Sequence, residues 1–259
     1  MSNTKIVSFN IRCTWTNDGI NNFAHRAGSI CEKMLAELPD LVAFQEMTDG
    51  QITMMKRMLP EYDFVGHGRN ADYKGEGLYI AVRRETFEVL GFEGIWLSPT
   101  PHIPASRYEN QSRIPRICVM AKVKNKATGE IIRIFDVHLD HLSPEARISQ
   151  LEGLFKYVKE QQKKISLPAV ILGDLNAAPD SDEITLCKKQ KGFTDVTNGL
   201  PNTFHGFGTT ADPTEKIDYL FVTPELAARA GEAVRWTDER DGIYLSDHYP
   251  VAVTFVDAE

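Results

Sequence analysis

The sequence predicts an α/β layered sandwich, and three observations point there. Short apolar segments of strand character interleave with amphipathic helical stretches, several strands stand in adjacent pairs, and polar residues interrupt the strand ends. Lys5 to Arg12 (KIVSFNIR) alternates Ile6, Ser8 and Asn10 with Val7, Phe9 and Ile11, the two-residue period of a strand. Phe23 to Leu38 places Ala27, Ile30, Met34, Leu35 and Leu38 at helical spacing, and Pro39-Asp40 ends it. LVAFQE (41–46) reads as a buried strand, Gln51 to Leu59 as a helix, and the segments near 62–66, 77–83 and 86–92 as strands. Residues 93–115 hold four prolines and little periodicity, the mark of a long functional or mobile loop. A hairpin follows, RICVMAKVKN and EIIRIFDVHL, turning over Lys126-Ala127-Thr128-Gly129. Residues 144–163 carry the clearest helix signal, with Ser143 as cap, Pro144 first, and Ile148, Leu151, Leu154, Phe155 and Val158 on one stripe. Strands are expected at 168–173, 216–222 and 250–256.

No charge block, repeat or linker divides the 259 residues, so a single domain over 1–259 is expected. No apolar run approaches the roughly 18 residues of a membrane span. The opening MSNTKIVSFN lacks the basic start and apolar centre of a secretory signal, and a cytoplasmic location is expected. Cys13, Cys31, Cys118 and Cys187 are far apart and form no CxxC, so they read as reduced packing residues. A net charge of −7 argues against a non-specific nucleic-acid binder, which gains affinity by neutralising many phosphates. A small phosphorylated ligand in a local basic pocket remains compatible with it.

Candidate chemistry lies in polar residues set into apolar segments. They are Asn10 in VSFNIR, Glu46 in LVAFQEM, His138 in IFDVHLDH, Asp174 and Asn176 in ILGDLN, Asp218 in KIDYLFV, and Asp247-His248 in LSDHYPVAV. Each alone fits a turn residue or a satisfied buried polar group. Burying so many ionisable groups together is costly unless they pair or bind a metal. If the backbone stays extended past Leu172, Asp174 and Asn176 point the same way and can address one atom together; Gly173-Asp174-Leu175-Asn176 also has the composition of a turn.

The pieces SFNIR, FQE, HLD, GDLN, IDYLF and SDHYPV, in this order, resemble the endonuclease/exonuclease/phosphatase superfamily of metal-dependent phosphoesterases, from residue 8 to 251. The resemblance implies a four-layer sandwich of two mixed β-sheets flanked by helices, the DNase I-like fold, with the site at one end. It implies that Glu46 is the main ligand of Mg²⁺ (or Mn²⁺), that Asn10 orients that shell and that Asp247 lies near it, an oxygen set suited to a hard cation. It also implies that Asp174 activates the attacking water, Asn176 contacts the phosphoryl oxygen or nucleophile, Asp218 pairs with His248, and His138 contacts phosphate. Asp140 shares a strand face with His138 and is expected to brace it; His141 is read as structural or peripheral.

GHGRNADYKGEG (66–77) lacks the register of a nucleotide-binding glycine loop and reads as a surface loop. Of Arg113 and Arg116, which end the proline-containing loop, Arg116 is the favoured phosphate contact. The leading expectation is a Mg²⁺-dependent hydrolase of a phosphorylated small molecule or short phosphodiester. A nuclease, including a 3′ exoribonuclease of deadenylase type, is the alternative, since nucleic acid remains a conceivable substrate. A phosphate-binding module without turnover is the third, although a poised base and a carboxylate-paired histidine have little use in a binder.

Overall fold

Two six-stranded sheets pack face to face in the computed structural model, which describes residues 3–210, 212 and 215–258. The longer strands are, in chain order, β1 (Asn3–Asn10), β2 (Leu41–Met47), β3 (Tyr62–Gly68), β4 (Gly77–Arg83), β5 (Phe87–Trp96), β6 (Ile117–Asn125), β7 (Ile131–His138) and β8 (Ala169–Asp174). The remaining strands are β9 (Thr194–Asp195), β10 (Asp218–Val222), β11 (Val234–Arg235), β12 (Glu239–Arg240), β13 (Ile243–Tyr244) and β14 (Val251–Val256). One sheet has the order β11-β14-β1-β2-β4-β3 and the other β5-β6-β7-β8-β10-β9, while β12 and β13 form a separate ribbon. The helices are α1 (Phe23–Glu37), α2 (Asp49–Met58), α3 (Pro144–Lys164), α4 (Asp182–Lys189) and the single turn α5 (Pro224–Ala227).

Alternation along the strands divides the apolar residues into three cores. Ile6, Leu41 and Ile80 of one sheet meet Val119, Ile134 and Leu172 of the other between the sheets. The opposite face of the first sheet, with Val7, Phe9 and Phe44, is covered by Ile30 and Met34 of α1 and Met55 of α2. The outer face of the second, with Phe135 and Ile171, is covered by Leu151, Leu154 and Val158 of α3 and Ile184 of α4. The result is helix, sheet, sheet, helix, the four layers expected.

Both sheets are mixed because each contains one parallel pair. β1 runs parallel to β2 with α1 between them, and β7 runs parallel to β8 with α3 between them. A helical crossover is what a parallel pair requires, and these two crossovers fix where the functional ends lie. Ser143 caps α3, its Oγ accepting from the Ala146 amide at 3.1 Å, as expected.

Several boundaries differ from the sequence reading. β5 runs on to Trp96, so the irregular segment begins at Leu97; Gly91 and Gly94 mask the strand pattern, and a register shift at Val89/Gly91 breaks its period. Gly94 is there for space, since a Cβ would stand 1.8 Å from the His67 imidazole. α2 starts two residues early at Asp49, on a capping box between Thr48 and Gln51. Leu35 and Leu38, expected on the buried stripe of α1, are exposed, and Leu38 takes a left-handed φ of 46° to end the helix.

Candidate active site

Strand directions gather the polar residues at one end of the sandwich. The parallel pairs contribute their carboxyl ends: Asn10 from β1, Glu46 from β2, His138 from β7 and Asp174 from β8. Ligand sites in open α/β sheets form at such ends. The antiparallel neighbours contribute their beginnings to the same end. Asp218 opens β10 opposite Asp174, Asp247-His248 precedes β14, and Arg116 precedes β6.

Glu46 reaches the site through a strand irregularity. The β2–β4 register shifts between Phe44 and Met47, and Glu46 adopts φ 63°. A left-handed glutamate within a strand is locally unfavourable, and such strain concentrates where a side chain must be aimed.

Asp174 is the hub. Its Oδ2 accepts from Asn10 Nδ2 at 3.0 Å and lies 3.4 Å from His138 Nε2 and 3.8 Å from His248 Nε2. Asn10 Nδ2 also donates to Glu46 Oε1 at 3.1 Å, and the Cys13 amide donates to Glu46 Oε2 at 3.0 Å. His248 Nδ1–H donates to Asp218 Oδ2 at 2.9 Å. Arg12 bridges Asp18 at 3.2 Å and Asp247 Oδ2 at 3.4 Å. One potential ligand atom each from Glu46, His138 and Asp174 lies within 4.8 Å of the others, and the same holds for Asp174, Asp218 and His248.

Burial and crowding set the charges. Burial pushes the Asp174 carboxyl up to about 7; Asp218 and Glu46 add to this, and the His248 charge opposes it. Burial would lower His248, but the Asp218 charge and hydrogen bond, with Asp174 and Asp247, outweigh it and raise the imidazole to about 10. His138 is held well below its ordinary value by burial and by Arg116, Arg69 and His248, so it is neutral at pH 7. Glu46 stays below the usual carboxylate value: burial raises it, but the Asn10 and Cys13 hydrogen bonds and the charges of His248 and Arg12 prevail.

Glu46, His138, Asp174, Asp247 and His248 line an open cleft of about 690 Å³ that also includes Asn176 and Arg116. Arg116 is buried, its Nη2 3.1 Å from His141 Nδ1, and its Nε–H has no acceptor among the described residues. Glu46, His138 and Asp174, and likewise Asp174, Asp218 and His248, stand close enough to share a metal ion, and among the described residues the buried Asp218 Oδ1 has no hydrogen-bond partner. That concentration of carboxylates fits a divalent cation.

Three expectations need correction. The chain is not extended past Asp174: β8 ends there and Asn176 turns left-handed at φ 49°. Asn176 instead donates its amide to Asp174 Oδ1 at 2.9 Å and its Nδ2 to the Leu139 carbonyl at 3.1 Å, so the turn itself orients the carboxylate. Asp140 does not brace His138; it accepts from Ser112 and from the Leu142 and Ser143 amides, tying the long loop to the start of α3. The 66–77 segment is more than surface. Arg69 and Glu76 form a buried bidentate pair that lines the cleft. Sequence reasoning also missed Trp15, Phe204 and the contact of His141 with Arg116, none of which has a local pattern that announces it. Arg113 is exposed and is not among the residues lining the cleft.

The model of the Endonuclease/Exonuclease/phosphatase family matches residues 7–248. A comparison with curated proteins gives no match. Among solved structures, an endonuclease/exonuclease/phosphatase from Bacteroides vulgatus is 28% identical, with 99% of each chain covered and a TM-score of 0.89. A mannosyl-6-phosphatase from Bacteroides thetaiotaomicron is 27% identical, with 98% of this chain and 100% of that one covered and a TM-score of 0.88. TDP2 from D. rerio, complexed with a single strand DNA product, shares the fold at 21% identity, with 99% of this chain and 100% of that one covered and a TM-score of 0.77.

Proposed function

The chain belongs to the endonuclease/exonuclease/phosphatase family of phosphoester hydrolases, and from that premise we propose that it cleaves phosphomonoesters of small molecules, phosphorylated sugars first among them, with a divalent cation. The supporting observation is the charge of the cleft. Five carboxylates line it, Glu46, Glu76, Asp174, Glu215 and Asp247, and of its three arginines Arg12 and Arg69 are ion-paired. Only Arg116, among the described lining residues, is a guanidinium without a carboxylate partner. Such a cleft suits one phosphate group and repels a polyanionic strand. The likeness to a mannosyl-6-phosphatase agrees with this choice.

Glu46, with Asn10 and Asp247 close by, would hold Mg²⁺ or Mn²⁺, which when bound neutralises phosphoryl charge. Asp174 takes the proton of the attacking water. Asn10 on one oxygen and the Asn176 amide on the other fix its orientation, and its elevated value makes it a base matched to neutral pH. His248 is kept charged by Asp218 and presents Nε2–H to a phosphoryl or leaving-group oxygen. Neutral His138 and the Arg116 fork bind the remaining phosphoryl oxygens. Asn176 acts at Asp174 and at the cleft edge. The 1–259 chain works in this reading as one domain.

A substrate panel tests the proposal: hexose 6-phosphate, glycerol 3-phosphate, bis-p-nitrophenyl phosphate, and single-stranded DNA and RNA, each with Mg²⁺ and then with chelator. Monoesters should exceed the diesters in kcat/KM by about 100-fold or more, the scale that a mismatched set of contacts gives. Chelator should abolish turnover and added Mg²⁺ or Mn²⁺ restore it. Preferred cleavage of RNA or DNA would replace this reading with the nuclease one.

A further inference from the structure

Of the three tryptophans in the chain, two are sealed in the cores: Trp96 is 2% exposed and Trp236 4%. Trp15 is 59% exposed, yet it lines the same cleft as Asp174 and Arg116. Leaving a large aromatic surface in water forfeits burial worth roughly 1.5–3 kcal/mol for a large apolar side chain, and the segment that carries it is firmly held. Arg12 Nε and Nη2 each lie 3.2 Å from Asp18, and Thr16 donates to Asp18 at 3.1 Å. Gln51 Nε2 donates to the Arg12 carbonyl at 2.8 Å, and the Thr14 and Thr48 hydroxyls meet at 3.2 Å. The indole is therefore presented from a braced turn, with the Arg69 guanidinium 5.9 Å from its ring centre and itself fixed by Glu76. A rigid aromatic face is the economical way to hold a ring, because little conformational freedom is lost on contact.

The volume of the cleft far exceeds a phosphate, which leaves room in it for the alcohol part of a phosphoester. We infer that Trp15 is the substrate-contacting residue that selects a pyranose-type ring carrying the phosphate. A sugar presents an apolar C–H face to an aromatic plane and hydroxyl donors around its edge. The cleft lining also includes the Glu215 carboxylate, an acceptor for such hydroxyls, and a base with its own phosphodiester neighbours would meet like charge there. The inference rests on the phosphomonoesterase reading for its location and extends it to the identity of the leaving group.

The test uses the full chain with Mg²⁺ and the Asp174→Asn substitution to slow turnover, titrated with hexose 6-phosphate, glycerol 3-phosphate and adenosine monophosphate. Binding is followed by calorimetry and by indole fluorescence, whose solvent-sensitive part comes from Trp15. Hexose 6-phosphate should change the fluorescence, and Trp15→Ala should weaken its binding about tenfold, the upper range of one aromatic contact. Ring-free glycerol 3-phosphate should change less than about twofold, and Trp15→Phe should keep most of the hexose affinity, on the same scale. Equal effects on both ligands, no effect on either, or no hexose phosphate binding overturns the inference; tighter binding of adenosine monophosphate overturns the sugar assignment. Phosphate release from hexose 6-phosphate by the protein with Asp174 intact, measured alongside, scores the hydrolase reading: release with no ligand discrimination by Trp15 sinks this inference alone, and no release sinks the hydrolase reading.

Discussion

At the residue scale the site is a carboxylate, Asp174, poised between two histidines of opposite character. His138 is neutral and His248 charged, although both approach the same Asp174 oxygen. The difference is Asp218, which accepts from His248, set against the Arg116 and Arg69 charges that oppose protonation of His138. Asp218→Asn should therefore lower the His248 pKa from about 10 toward its ordinary value. The alkaline limb of kcat/KM against pH should move toward neutrality; an unmoved limb would show that His248 owes its charge to another group. Most of these residues were legible as polar interruptions of apolar strands, because a charged group at a strand end breaks a two-residue period. Trp15, Arg69 and Glu76 were not: their roles come from a turn and a cross-loop ion pair, and neither leaves a period to read. The left-handed backbone of Asn176 was equally hidden, since the sequence fits both the turn and the extended form.

At the element scale, two β-α-β crossovers decide where chemistry can occur, and β8 shows how tightly they are packed. Gly173 has φ 136°, and a Cβ there would stand 1.9 Å from the Val137 carbonyl oxygen of the neighbouring parallel strand. Gly173→Ala should cost on the order of 3 kcal/mol or more, from backbone strain together with a clash that separates β7 from β8. Chemical denaturation measures this, and a loss below about 1 kcal/mol, the ordinary cost of a point substitution, would mean the strands yield there. The long strands were readable as apolar runs or alternations, most of them buried on both faces, and α1 and α3 because each carries an apolar stripe at helical spacing. α4, with four charged residues in eight, and the two-residue strands β9 and β11–β13 were not, because tertiary packing rather than local pattern creates them.

At the scale of the whole molecule, stability should depend on pH through groups buried far from their ordinary ionisation. His205 is 1% exposed, its ring centroid 3.9 Å from that of Tyr249, and burial, with His248 and Arg235, lowers it to about 4. The unfolded chain then binds the extra proton between about pH 6.5 and 4, so folding free energy falls as pH drops through that window. Replacing His205 with Gln should flatten the acid side of the stability profile by on the order of 2 kcal/mol. An unchanged acid slope would assign the loss to other groups. No helix among the described residues is long and apolar enough to cross a membrane, and all four cysteines are buried.

The most direct measurement is inorganic phosphate release from hexose 6-phosphate by wild type and Asp174→Asn, side by side, in Mg²⁺ and after chelation. Wild type should turn over only with the cation, and Asp174→Asn should lose about 100-fold or more in kcat with its fold intact, the usual scale for a general base. Equal rates in the two proteins, or a wild-type rate indifferent to chelator, would contradict the assignment of hydrolysis to this cleft.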